Sequence, residues 1–274
     1  MHPNPHFTAV EILWTLTFAA QLVLLVVLLG RDRVKGFRWF TLSIVLMALR
    51  LLASRLLIGR MAPVTLSEIF IVLADVSAIV GLLVVVEIAR RAFGKAPRIY
   101  WLVGALVALA VGIGILAAWG PWPALKTLKA DSSLAVLRLM QLGAQKLDML
   151  VDVLTVEVGL LVVLLGRRFG AGWRSHTQRV VIGLSTASLT QLGVQGVWEL
   201  IAHHAQPHSQ AEYDRILGLR DKLFNANGAV YVAVVIWWIV CLWMDEPGSS
   251  AASLPPAAPE PEYLTPDLEP ELEG

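Results

Sequence analysis

Seven segments of this chain are long, apolar and almost free of charge, and no other feature restricts its fold as strongly. They lie at about residues 8–29, 39–59, 67–89, 99–119, 147–166, 180–201 and 227–244. A helix needs about 20 apolar residues to cross a bilayer core. The runs are continuous rather than alternating, which favours helices over barrel strands. The sequence therefore predicts an all-α membrane protein, a bundle of seven transmembrane helices.

The composition agrees with a membrane environment. Hydrophobic residues make up 57% of the chain and charged residues only 16%, whereas soluble domains are about 25% charged. The single cysteine, Cys241, excludes an intrachain disulfide and any CxxC motif. The N-terminal "MHPNPHF" lacks the basic region of a signal peptide. We therefore expect the first helix to remain in the mature protein.

Basic residues concentrate in three of the connecting loops. These loops read "RDRVKGFR" (31–38), "RRAFGKAPR" (90–98) and "RRFGAGWR" (167–174). All three lie on the same side of a seven-helix bundle, and the positive-inside rule makes that side cytoplasmic. We therefore expect the N-terminus outside, the C-terminus inside, and a multi-pass protein of the plasma membrane, the inner membrane of a bacterium.

The outer connections and the C-terminal end differ from the basic loops. A separate interfacial helix is predicted near "DSSL", with Asp131 or Ser132 as its N-cap, and the connection after residue 201 also looks partly helical. Residues 245–274 are acidic, rich in Pro and free of Lys and Arg. Residues 1–244 are thus expected to form the transmembrane domain, and 245–274 a disordered cytoplasmic tail.

The octapeptide "LLVVLLGR" occurs at residues 24–31 and again at 160–167. Aligning the copies places the first three helices over the last three, with the fourth as a connector. Such a parallel 3+1+3 repeat occurs among membrane proteins. The alternative is coincidence, because Leu/Val runs ending in Gly-Arg arise wherever a helix meets the cytoplasmic interface. Both interpretations stay open.

Ionisable side chains lie inside several predicted spans, where they are costly unless they face the bundle interior or water. In the outer and central parts of the spans they are Glu11, Arg50, Arg55, Asp75, Asp148, Asp152 and Glu157. Judged by depth, Arg55 lies level with Asp75 and Asp152, and Arg50 with Glu157. Opposite charges at equal depth can pair, which offsets most of the cost of burying each one alone.

Uncharged polar residues extend this pattern on the last two segments. The sixth segment carries a stripe at helical spacing, namely Ser188, Gln191, Gln195, Glu199 and His203, and the seventh carries Asn227 and Tyr231. The inner halves are apolar, except that Glu87 lies within a turn of Arg90 and is expected to reach the interface. The sequence predicts a polar pocket that is open to the outside and closed towards the cytoplasm. Alternatively, these groups only hold the bundle together.

Cofactor signals are weak. Glu199, His203 and His208 form a candidate zinc or copper site on the outer side. Seven helices with the N-terminus outside match the rhodopsin arrangement, but the seventh segment has no Lys for a Schiff base. Retinal is therefore disfavoured, and any other cofactor is unknown.

The functional interpretation rests on the pocket. No catalytic residue set, phosphate loop or dinucleotide fingerprint is present, so an enzyme is the least favoured class. The short basic loops do not indicate nucleic-acid binding. The leading hypothesis is a receptor-like or ligand-binding membrane component, with the bilayer as its environment and a cytoplasmic protein partner at the inner loops and acidic tail. The alternatives are a small-solute or ion transporter and a non-catalytic subunit of a membrane complex.

Overall fold

The computed structural model describes residues 8–93, 97–119, 133–165, 175–205 and 209–245, and every regular element among them is a helix. The seven helices are α1 (Ala9–Gly30), α2 (Arg38–Leu57), α3 (Pro63–Phe93), α4 (Arg98–Ala118), α5 (Ser133–Leu165), α6 (His176–His204) and α7 (Gln210–Trp243). Five of them, α1, α2, α3, α6 and α7, are long and apolar enough to cross a membrane. The protein thus has the architecture of a multi-pass membrane protein.

The remaining two helices are less clear-cut as membrane spans. The apolar part of α4 runs from Val103 to Ala118 and is shorter than the other five. The second half of α5 is apolar but carries the carboxylates of Asp148, Asp152 and Glu157. The seven helices follow the seven predicted segments in order, while the crossing of α4 and α5 and the orientation of the bundle stay predictions.

Three helices begin at a side-chain cap, as the sequence around them requires. Thr8 and Glu11 form a capping box at the start of α1. The hydroxyl of Ser175 accepts the backbone N–H of Gln178 in α6, and that of Ser209 accepts the N–H of Glu212 in α7. These caps satisfy backbone donors that the first turn of a helix leaves without a partner.

A helix begins near "DSSL" and the connection after residue 201 is partly helical, both as predicted, but the expectation that the first of these helices is separate from the fifth span is wrong. Helix α5 begins at Ser133 and continues without a break through the predicted fifth span, and α7 likewise begins at Gln210, well before the seventh. Neither helix contains a Pro to stop it, and each of the early glycines, Gly143 in α5 and Gly218 in α7, weakens its helix by only about 1 kcal/mol. The expected caps Asp131 and Ser132 lie outside the described residues. At about 1.5 Å per residue, each helix is longer than a bilayer core is thick.

Six of the helices form a closed ring. Going round it, α1 packs against α2, α2 against α3, α3 against α5, α5 against α6, α6 against α7, and α7 against α1. Helix α4 stands outside the ring and packs mainly on α5. Helices α3 and α6 also touch each other across the ring. A ring with one contact across it has an interior, and side chains of all six helices can reach it.

Apolar side chains fill the half of the ring next to the basic loops. This core contains Leu24, Leu28, Phe40, Ile44, Val84, Ile88, Val158, Val162, Val180, Val235, Trp238 and Leu242. The rings of Phe40 and Trp238 meet edge to face with centroids 5.0 Å apart, and Trp238 Nε1 donates to the carbonyl of Val180 at 3.3 Å. The indole N–H is thereby satisfied inside an otherwise dry seal.

The two copies of the octapeptide do not occupy equivalent positions. Leu24 and Leu28 are 0% exposed, whereas the aligned Leu160 and Leu164 are 58% and 74% exposed. Residues that the repeat aligns therefore lie in different environments. This is expected if the two copies are unrelated segments that each end a helix at the membrane interface. The order of helices around the ring would still accommodate a 3+1+3 arrangement, since α1, α2 and α3 are followed by α5, α6 and α7.

Candidate functional site

Helices α5 and α6 are joined by a hydrogen bond between polar side chains. This bond lies above the apolar core, meaning on the side away from the basic loops. The hydroxyl of Ser188 donates to Asp152 Oδ1 at 2.6 Å, and Ser188 itself is buried. Both residues come from the sets that the sequence singled out. A carboxylate that accepts a hydroxyl hydrogen bond in a low-dielectric interior is positioned as well as partly stabilised.

Asp148 is within electrostatic range of charged residues on other helices at this level of the ring. Asp148 interacts electrostatically with Arg50 of α2 and Asp75 of α3, and Asp152 with Asp148. Helices α2 and α5 are not neighbours in the ring, so the interaction between Arg50 and Asp148 crosses its interior. Three carboxylates and one guanidinium thus face the same part of the ring interior, without direct ion pairs between them among the described residues.

Two amides join the next pair of helices in the ring, one turn along α6 from Ser188. Asn227 Nδ2 of α7 donates to Gln191 Oε1 of α6 in a short hydrogen bond. Gln195, one turn beyond Gln191, is partly buried with no hydrogen bond among the described residues. We call Arg50, Asp75, Asp148, Asp152, Ser188, Gln191 and Asn227 the outer polar cluster.

Below this cluster, Tyr231 links three helices. Gln21 Nε2 of α1 donates to the Tyr231 hydroxyl at 3.1 Å, and that hydroxyl donates to Met47 Sδ of α2 at 3.0 Å. Gln21 is 1% exposed and is among the most deeply buried polar side chains described. The sequence singled out Tyr231 but not Gln21 or Met47. A lone amide within the apolar run of α1 was the available signal for Gln21.

The predicted pairing of Arg55 with Asp75 or Asp152 is wrong. Arg55 Nη2 instead lies 3.4 Å from Glu11 Oε1, and its guanidinium lies over the ring of Trp14. Trp14 in turn donates to the carbonyl of Leu51 on α2 at 3.3 Å. The depth of a charged residue along its helix does not specify the direction in which its side chain points around the helix axis. Arg55 faces α1, the neighbouring helix in the ring, and not the interior.

The predicted pairing of Arg50 with Glu157 is wrong for the same reason. Glu157 lies nine residues beyond Asp148, which places it about half a turn away around α5. It shares a face with Leu150 and Leu154, the residues that approach Gly112 of α4. Both carboxylate oxygens of Glu157 are shielded and have no hydrogen-bond partner among the described residues. Glu157 therefore lies on the α4 side of α5, apart from the outer polar cluster.

The candidate metal ligands are not assembled in the described part of the chain. Glu199 and His203 are exposed near the end of α6, and His208 lies outside the described residues. Among the described residues, no three His, Cys, Asp or Glu side chains are grouped closely enough to hold a metal ion. His203 instead packs edge to face on His204, with centroids 5.3 Å apart.

The interior narrows to an apolar gap beneath the polar residues. This gap is lined by Val85, Ile88, Thr155, Val158, Val181 and Leu184, which come from α3, α5 and α6. Chemically, the outer polar cluster offers carboxylate and amide acceptors, amide donors and one guanidinium, while the side chains that line the gap are apolar except for Thr155. The chain matches no protein-family model, no curated protein and no solved structure.

Proposed function

We propose that this chain is a receptor-like, ligand-binding membrane protein that takes a small polar solute from the outer side into the outer polar cluster. One observation carries the proposal. Arg50 is exposed although its charge interacts with Asp148 across the interior of the ring. A side chain with that direction stays accessible only where the interior is open. Asp75, Asp148 and Asp152 are likewise only partly buried.

The composition of the cluster indicates the kind of solute. The outer polar cluster contains three carboxylates and one guanidinium, so it has an excess of acceptors for a positively charged group. The Gln191–Asn227 amide pair adds hydrogen-bonding capacity between α6 and α7. Ligand sites combine an enclosed space with a few convergent polar groups of this kind. We propose a small amine or zwitterion as the solute class.

The topology and domain division belong to the same proposal. All seven helices cross the inner membrane of a bacterium, with the N-terminus outside and the basic loops and residues 245–274 on the cytoplasmic side. Single cysteines introduced at exposed Met61 and Gly30, in a Cys241→Ala background, test this with a membrane-impermeant thiol reagent. The reagent applied to intact cells should label the former and spare the latter. Equal labelling of both would refute the orientation.

Thermal stabilisation by candidate solutes tests ligand binding directly. A solute that binds the folded protein at about 100 times its Kd adds about 2.7 kcal/mol of stability. The melting temperature of the purified protein would be measured with small amines, zwitterionic amino acids, carboxylates and neutral sugars. We expect an upward shift of the melting temperature with one of the first two classes. Asp148→Asn should abolish that shift. Arg55→Gln is the matched control, because Arg55 contacts Glu11 outside the cluster.

Two results would contradict the proposal. If no solute stabilises the protein, the outer polar cluster only joins the helices. If Asp148→Asn preserves the full shift, the solute binds elsewhere. An assay of solute uptake into proteoliposomes distinguishes a transporter from a receptor-like protein. A transporter needs a route for the solute through the apolar core around Phe40 and Trp238. Co-purification of a stable partner from the native membrane would instead favour a subunit of a larger complex.

A further inference from the structure

The end of α7 is tied to the turn between α1 and α2. Asp245 Oδ1 lies 3.4 Å from Arg31 Nη1 and 3.7 Å from Arg33 Nη2. The guanidinium of Arg31 also lies over the ring of Trp243, 4.9 Å from its centroid. Asp245, the last of the described residues, therefore lies directly at this turn.

The turn carries an excess of positive charge. Its basic residues are Arg31, Arg33, Lys35 and Arg38, which we call the basic turn. Within it, Asp32 pairs with Lys35 at 3.0 Å, and both side chains are well exposed. Arg91 at the end of α3 adds a further guanidinium, 4.6 Å from the ring centroid of Phe37. The carboxylates of Asp245, Asp32 and Glu87 offset three of these five positive charges, which leaves the turn with a net positive charge.

The sequence beyond Asp245 has the opposite charge. It contains Glu246, Glu260, Glu262, Asp267, Glu269, Glu271 and Glu273, and no Lys or Arg. Residues 247–259 separate the first of these acids from the rest, and a stretch of that length reaches up to about 45 Å when extended. The later carboxylates can therefore return to a surface that lies where the segment begins.

We infer that residues 246–274 bind back onto the basic turn of the same molecule and occupy it in place of anionic lipid headgroups. Asp245 is the first contact of this interaction and fixes the point from which the segment starts. Binding within one molecule is favoured because a short tether gives an effective concentration on the order of millimolar. Electrostatic contacts of this type weaken with salt. The inference is independent of any ligand in the outer polar cluster.

Limited trypsin digestion tests the contact, since the acidic segment has no Lys or Arg and cannot itself be cut. The full chain would be placed in nanodiscs of neutral lipid, which leave both faces accessible. Its comparison is a variant in which the seven acids from Glu246 to Glu273 become Gln or Asn while Asp245 is kept. We expect cleavage at the basic turn to be roughly threefold to tenfold slower in the unmodified chain. The difference should vanish in about 1 M salt, where the Debye length is about 3 Å.

Equal cleavage of the two proteins would overturn the inference. The inference would also be overturned if protection from cleavage depended on anionic lipid in the nanodisc and not on the acidic residues of 246–274. The basic turn would then be a binding site for lipid. A distance measurement gives an independent readout through spin labels on Gly30→Cys and Leu268→Cys in a Cys241→Ala background. A side chain at Gly30 meets no neighbour within 4 Å. The label separation should lengthen with salt and in the neutralised variant, and an unchanged separation contradicts the inference.

Discussion

Glu87 of α3 caps the first turn of α2 by accepting the backbone N–H of Arg38. Its Oε1 lies 2.9 Å from Arg38 N, and its Oε2 lies 3.2 Å from the backbone nitrogens of both Trp39 and Phe40. The residue at the N-cap position of α2, Phe37, has no side-chain oxygen and supplies no cap. A carboxylate at the positive end of a helix is favourable both as a hydrogen-bond acceptor and as a charge.

Glu87→Ala should destabilise the protein by about 0.5–2 kcal/mol, the usual cost of losing an N-cap. The buried thiol of Cys241, which is 1% exposed, reports unfolding through its reaction with a fluorogenic maleimide during heating. Glu68→Ala on the same helix is the control, because Glu68 is exposed and has no hydrogen bond or ion pair among the described residues. A Glu87→Ala protein that melts with the Glu68→Ala control would show that the cap contributes nothing.

Gly183 permits α6 and α7 to approach closely. A Cβ added there would lie 2.7 Å from Trp238 Cε2, and the buried indole has no room to move. Small residues allow such contacts between membrane helices. Gly183→Ala should therefore lower the free energy of unfolding by about 1–3 kcal/mol through overpacking. Gly193→Ala on the same helix meets nothing within 4 Å and should be neutral or stabilise by up to about 1 kcal/mol. Similar losses for both variants would refute the close approach.

Tyr231 should matter for stability through its hydroxyl alone. Tyr231→Phe leaves the buried Nε2 of Gln21 without its acceptor, and an unsatisfied buried donor costs about 1–3 kcal/mol. Tyr213→Phe is the same substitution on the same helix at a residue that is 48% exposed, and it should have no effect. Chemical or thermal unfolding compares the two. If they behave alike, the hydrogen bond between α1 and α7 is not formed.

The ion pair between Glu11 and Arg55 can be distinguished from the pairings that depth alone predicts. A double-mutant cycle with Glu11→Gln and Arg55→Gln should show a small favourable coupling that decreases with salt, because the pair is exposed. The parallel cycle with Asp152→Asn and Arg55→Gln should show none. Melting temperatures of the six proteins supply both couplings. Coupling in the second cycle alone would restore the depth-based pairing.

The sequence supported a prediction of the outer polar residues but not of most of their partners. Asp75, Asp148, Asp152, Gln191 and Asn227 could be singled out, because polar groups in an apolar run are conspicuous at any depth. Their neighbours depend on rotation about each helix axis and on which helices are adjacent, and a single sequence does not specify either. This is why Arg55 contacts Glu11 and why Glu157 lies on the α4 side of α5.

The sequence by itself determined the helices, because the length and apolarity of each run dictate how its backbone groups are satisfied. It also determined that one half of the bundle is packed with aliphatic side chains, since those runs contain almost nothing else. Only the tertiary structure decided that α4 stands outside a ring of six helices and that Glu87 caps α2. The reason is physical: local composition specifies whether a helix forms and what it avoids, whereas hydrogen bonds and ion pairs between helices depend on packing across many residues of sequence.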